Sequence, residues 1–150
     1  MAFKREYAPV TRKLVGEVAI IGISSPAPGK KIKARALWDT GAECTVITPE
    51  ISNTLGLIPI GNTKIAGVNN ISPAEIVKAT VILPNNIRIP DMNIWVCNLV
   101  PNTDILIGMD IINQGDFAIS NAGGKTLFTF AIPPFEDKTD LYKKANLDCL

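Results

Sequence analysis

The chain has 150 residues, nearly half of them apolar and few aromatic, with a formal net charge of +1. That length suits one domain with a proper core; the near-neutral balance leaves no electrostatic footprint for nucleic acid or a membrane surface, and no apolar run reaches the length of a transmembrane helix. There is no histidine, which removes Ser-His and Cys-His nucleophilic catalysis, His-ligated metals and imidazole acid–base chemistry, and leaves carboxylates as the proton-transfer groups.

Residues 1–12 are mixed in charge, carry Pro9 and read as an N-terminal arm outside the core. They lack the apolar stretch of a signal peptide, so a cytoplasmic protein is expected. From Lys13 the apolar positions Leu14, Val15, Val18, Ile20, Ile21 and Ile23 predict a long strand, with bulges expected at Gly16 and Gly22. A turn cluster over 24–30 follows, and Lys31 to Trp38 alternates basic and apolar residues with period two. Two antiparallel strands thus lead into Asp39-Thr40-Gly41-Ala42. A carboxylate at the end of a buried strand is costly unless hydrogen bonds hold it. The next two residues supply a hydroxyl, backbone N–H groups and a position without a Cβ.

Cys44 to Ile47 is predicted as a short strand returning from that loop. Thr48-Pro49-Glu50 has the N-cap, first-turn proline and early acid of a helix start, and Leu55-Gly56 marks its end about two turns later. Gly61 to Val68 and Ile71 to Leu83 are two extended segments joined at Asn69-Asn70, residues that tolerate a tight hairpin turn. Strands follow over 87–90 and 92–100. Ile105 to Ile107 is an apolar strand entering Gly108; Met109, Ile111 and Ile112 then give a short helical turn stopped by Gly115. A hairpin is expected from Phe117 to Phe130. From Pro133 the chain becomes charged and polar and reads as a tail to Leu150, with a helix near Leu141 to Ala145. Cys44, Cys97 and Cys149 are odd in number and widely spaced, so neither a disulfide framework nor a zinc site is expected.

Two stretches together resemble the retropepsins, the single-domain, retroviral-type aspartic proteases that also occur in cells. The first is Leu37-Trp38-Asp39-Thr40-Gly41-Ala42 with Thr45-Val46-Ile47; the second is Leu106-Ile107-Gly108-Met109-Asp110-Ile111-Ile112. Between them Thr63 to Ile76 has the length and place of the flap, and the likeness runs over residues 13–132. It implies a mostly β fold, a closed acid-protease barrel with a flap hairpin and two short helices. It also implies an aspartic endopeptidase: Asp39 as the catalytic carboxylate, Thr40 locking the active-site loops together, and Gly41 presenting backbone groups. Two adjacent carboxylates share a proton, one activating water and the other stabilising the oxyanion, without metal or cofactor. The chain offers one such motif, so the resemblance implies a homodimer with one Asp39 from each subunit, the arm and the C-terminal hairpin supplying contacts. An extended peptide substrate is implied, held by Ala42 and Glu43 and by the flap at Gly67 and Val68, with Val46 and Leu106 lining side-chain pockets.

Other positions have structural readings. Strand alternation turns Trp38 away from the cleft into the core. Gly108 and Asp110 support the loops, Asp110 by hydrogen-bonding them or by capping the helix after it. Met109 stands where retroviral enzymes carry an arginine, so no ion pair from there to Glu43 forms. Cys44 reads as a small buried hydrophobe. The alternative to a protease is a catalytically inactive retropepsin fold used for dimerisation or peptide binding.

Overall fold

A computed structural model describes residues 1–66 and 71–146. The elements in chain order are β1 (Ala2–Tyr7), β2 (Leu14–Gly22), β3 (Lys31–Trp38), β4 (Val46–Ile47), α1 (Pro49–Leu55), β5 (Gly61–Ala66), β6 (Ile71–Leu83) and β7 (Ile87–Val96). They are followed by β8 (Ile105–Ile107), α2 (Met109–Ile112), β9 (Asp116–Ser120), β10 (Thr126–Ala131) and α3 (Leu141–Asn146). Among the described residues no helix is long and apolar enough to cross a membrane.

The alternating pattern of β3 does what period two requires: Ala34, Ala36 and Trp38 are buried while Lys31, Lys33 and Arg35 face solvent. β3 then pairs in parallel with β8, β8 with β4, β4 with β7, β7 with β6, and β6 returns to β2 through Ala19↔Ile82 to Gly22↔Ala79. That last pairing closes a six-stranded barrel of the retropepsin-like kind, filled by aliphatic side chains such as Ile20, Ile47, Ile94, Ile105 and Ile107. Among the described residues β5 pairs only with β6, forming the flap hairpin, in register from Gly61↔Ile76 to Ala66↔Ile71. Its expected turn at Asn69-Asn70, and Cys149 in the tail, lie outside the described residues.

α1 begins and ends as its sequence dictates. The Thr48 hydroxyl accepts the Ile51 N–H (3.4 Å), Pro49 fills the first turn, and Gly56 closes the helix at φ +61°. Trp38 lies in the core among Phe3, Phe117, Phe128 and Phe130, with ring centroids 5.1–6.1 Å away.

Four expectations need correction. Residues 2–7 are not outside the core: β1 pairs with β10 in a three-stranded sheet, β1-β10-β9, and its Phe3 is buried against Trp38. Gly16 and Gly22 are not bulges, because the β2–β3 ladder runs unbroken from Leu14 to Ile21. Gly22 is instead a close approach, where a Cβ would come within 2.9 Å of Leu57. The irregularity falls between β6 and β7, where Asp91 takes φ +57° and the two segments expected over 87–100 become one strand ending at Val96. Finally, β4 begins at Val46, because the Thr45 N–H is drawn to a carboxylate rather than into a ladder.

Candidate active site

β3 delivers Asp39 to the surface beside β8, and the Asp39 N–H still donates to the Ile107 carbonyl (3.0 Å), one step beyond the ladder. The chain then turns: Ala42 N–H donates to the Asp39 carbonyl (3.2 Å), and Gly41 N–H donates to Asp39 Oδ1 (2.8 Å). A Cβ at position 41 would stand 3.1 Å from that oxygen, so glycine lets the amide come close. The carboxylate is half-buried with one oxygen fixed by a backbone donor.

What keeps this loop in place is the start of α2. Met109 N–H donates to the Ala42 carbonyl (2.8 Å) and Asp110 N–H to the Glu43 carbonyl (3.1 Å), so free amides at the helix start satisfy the loop's carbonyls. Gly108 passes beneath with no room for a side chain: a Cβ there would sit 2.6 Å from the Cys44 carbonyl group. Asp110 lies within α2, whose N-cap is Gly108, so it does not cap a helix after it; its carboxylate ties the Thr45 segment to the helix start. Its Oδ2 accepts the Thr45 N–H (2.9 Å), and its Oδ1 accepts the Thr45 hydroxyl (2.7 Å) and the Ile111 N–H (2.9 Å). Fully buried Thr45 completes the lock by accepting the Gly108 N–H (3.2 Å).

Behind the loop lies an open cleft of about 540 Å³. Asp39, Gly41, Ala42 and Glu43 form one end of it, and Val46 and Leu106 lie in its floor. Thr40 is exposed, and its hydroxyl makes no hydrogen bond among the described residues. Together with Asp39 it borders a second hollow of about 330 Å³, against Phe117 and Ile119 of β9. Gly108 and Asp110 support the loop from behind without lining the cleft, and Gly67 and Val68 lie outside the described residues.

Sequence reasoning missed part of the cleft. Ile65 on the flap and Trp95 and Leu99 on the opposite wall also line it. An aromatic in the largely apolar run of β7 was the available signal for Trp95; nothing local marks Leu99. Thr45 was named in the motif but not as a support. Glu43 makes no ion pair among the described residues. Burial first, then the negative charges of Asp110 and Glu43, push the Cys44 thiol up, which keeps it protonated and unsuited to nucleophilic work.

A family model described as aspartyl protease matches residues 27–111, a span from the turn before β3 into α2 that includes Asp39, the flap strands and Gly108. The chain belongs to the aspartyl protease family. The fold of this family member is similar to that of a retropepsin-like aspartic protease from Rickettsia conorii, with a TM-score of 0.57 and 16% identity, covering 88% of this chain and 94% of that one. It is also similar to EIAV protease, solved in complex with the inhibitor HBY-793, with a TM-score of 0.51 and 21% identity, covering 68% of this chain and 86% of that one. Comparison with curated proteins gives no match.

Proposed function

We propose that this chain is an aspartic endopeptidase whose working form is a homodimer, with water activated between the Asp39 carboxylates of the two subunits. The observation that carries the reading is the setting of Asp39: a half-buried carboxylate at the mouth of a peptide-sized cleft, one oxygen held by the Gly41 amide. Among the described residues no other Asp lines that cleft, so one chain brings a single aspartate to it. Two carboxylates forced close cannot both ionise cheaply; one keeps a proton. The ionised member takes a proton from water as that water attacks the scissile carbonyl, and the protonated member donates a hydrogen bond to the developing oxyanion. Thr40, with its hydroxyl unengaged among the described residues, is the residue that would bridge the paired loops.

Two features support a second copy and a peptide. β9 is an edge strand bordering the hollow that Asp39 and Thr40 share, and Ile119 on it is 46% exposed. β5 is also an edge strand, so the flap has backbone groups free to pair with an extended substrate. Val46 and Leu106 give the cleft an apolar floor, suiting apolar side chains beside the cut bond.

The experiment is cleavage of a mixed peptide library across pH 4 to 7 (roughly the range for a shared-proton pair), wild type beside Asp39→Asn. Cuts that vanish in the variant, with fold and association unchanged, are the expected result. A dimeric wild type that makes no Asp39-dependent cut at any pH would leave the non-catalytic peptide-binding module in its place.

A further inference from the structure

The strand registers line up a single row of side chains across the barrel wall. Leu37 is paired with Leu106, Leu106 with Val46, Val46 with Trp95, and Trp95 with Ile76. Directly paired residues share a face of the sheet. The residues next to them in each strand, such as Ala36, Ile47, Val77, Ile105 and Val96, are buried in the barrel core, so this row faces the other way, and Leu106, Val46 and Trp95 of it line the cleft. Leu37, Leu106, Trp95 and Ile76 are half-buried, whereas Val46 retains only 8% of its surface.

Trp95 is the one aromatic among the described residues that line the cleft. It stands beside Val46 in the ladder, one strand beyond Leu106, which pairs with the strand that ends in Asp39. An indole is large and rigid, with few rotatable bonds with which to give way. From this row we infer that Trp95 sets the size limit of the side-chain subsite over Val46, so that this position takes a small apolar residue such as Ala or Val and rejects Leu and Phe. The inference rests on the peptide-cleft reading and adds to it a residue that decides specificity. Trp95 touches the substrate side chain and takes no part in proton transfer.

The test uses synthetic peptides that differ only in Ala, Val, Leu or Phe at one position at a time, with two readouts. Binding is measured on the Asp39→Asn protein, which cannot turn peptides over; cleavage is measured on the Asp39-intact protein. Each is repeated with Trp95→Leu and with the more conservative Trp95→Phe. At one position, Ala and Val are expected to be preferred over Leu and Phe by about tenfold or more, the usual worth of a methylene-scale fit in an apolar pocket. Trp95→Leu is expected to erase that preference there and leave every other position as it was, with Trp95→Phe falling between. Thermal melts of both variants establish that they are folded.

A preference that survives Trp95→Leu, or a loss spread evenly over all positions, overturns the inference. So does a protein that binds none of the peptides. Size selection on the Asp39→Asn protein without cleavage by wild type would sink the protease reading and leave the role of Trp95 standing.

Discussion

Thr45 joins two things that the site needs, a loop that carries a carboxylate and a helix start that holds the loop still. Its hydroxyl donates to Asp110 and accepts from the buried Gly108 amide, so one small polar side chain satisfies both partners. Replacement by valine keeps the shape and strands the Gly108 N–H without a partner. Leaving one buried donor unmade costs about 2 kcal/mol, and Thr45→Val is expected to lose roughly that much in denaturant unfolding. Gly108→Ala meets a harder obstacle, since the new methyl group would press on the backbone of Cys44 and Ala42 rather than on a side chain that can swing away. About 3 kcal/mol or more is expected to be lost there, with cleavage falling further than stability as the Asp39 loop is displaced. A Gly108→Ala protein as stable and active as wild type would mean that the close crossing is not required.

Between elements, the parallel pairing of β3 with β8 is the short ladder that aims Asp39, and it is buttressed at its far end by a clasp. Arg35 N–H and Nε donate to Asp104 Oδ2 (2.8 and 3.1 Å), Arg35 Nη2 meets Asp104 Oδ1 at 3.0 Å, and Asp104 N–H donates back to the Arg35 carbonyl (2.9 Å). The Arg35 guanidinium bond holds the Asp104 carboxyl below its ordinary value of 3.8, against the opposing pull of burial. A carboxyl whose folded value is depressed adds stability that is complete above its ordinary value and lost as pH falls through the folded one. Asp104→Ala is therefore expected to melt below wild type at neutral pH, with the gap closing once the pH drops below 3.8. A gap of constant size down to pH 2 would refute that linkage. Throughout pH 4 to 7 the clasp stays charged, and β3 stays pinned.

The same contrast explains what was legible in the sequence. β2, β3 and α1 announce themselves through an apolar run, period two, and a capping threonine with a terminal glycine, all signals carried by neighbouring residues. β1 announces nothing, because Ala2, Phe3 and Tyr7 only flank the charged run Lys4-Arg5-Glu6, and the burial of Phe3 depends on partners such as Phe128 and Phe130 far along the chain. Asp39, Gly41 and Gly108 were readable because each does a job fixed by its own chemistry. Trp95 and Leu99 were not, since lining a cleft is a property of how distant strands pair.

For the whole molecule, the proposed dimer turns on which surface would meet a second copy. β1 is also an edge strand of the three-stranded sheet, paired along its length with β10, but at its start the Asn85 amide donates to the Ala2 carbonyl (2.8 Å). β9 has no such cover, for its backbone pairs only with β10 among the described residues. Unpaired edges invite another strand, and a single lysine is enough to discourage it. Ile119→Lys is expected to shift sedimentation from dimer to monomer and to abolish Asp39-dependent cleavage, while the melting point moves little, as for most exposed positions. An active dimer that tolerates the lysine would place the contact elsewhere.

β6 links the flap to the wall without interruption. One continuous strand, Ile71–Leu83, gives its first residues to the hairpin with β5 and its last to β7 and β2 together. No strand break separates the hairpin part of β6 from the barrel part, so any tilting of the hairpin would turn on the strand itself, near Glu75 and Ile76, where the ladder to β7 begins. Amide exchange along this strand is expected to run as a gradient, fast by local opening at Ile71 to Ala74 and as slow as global unfolding from Val77 to Leu83. Stiffening the barrel there would also stiffen the gate, and how quickly a peptide is admitted would then be tied to the same bonds that keep the protein folded.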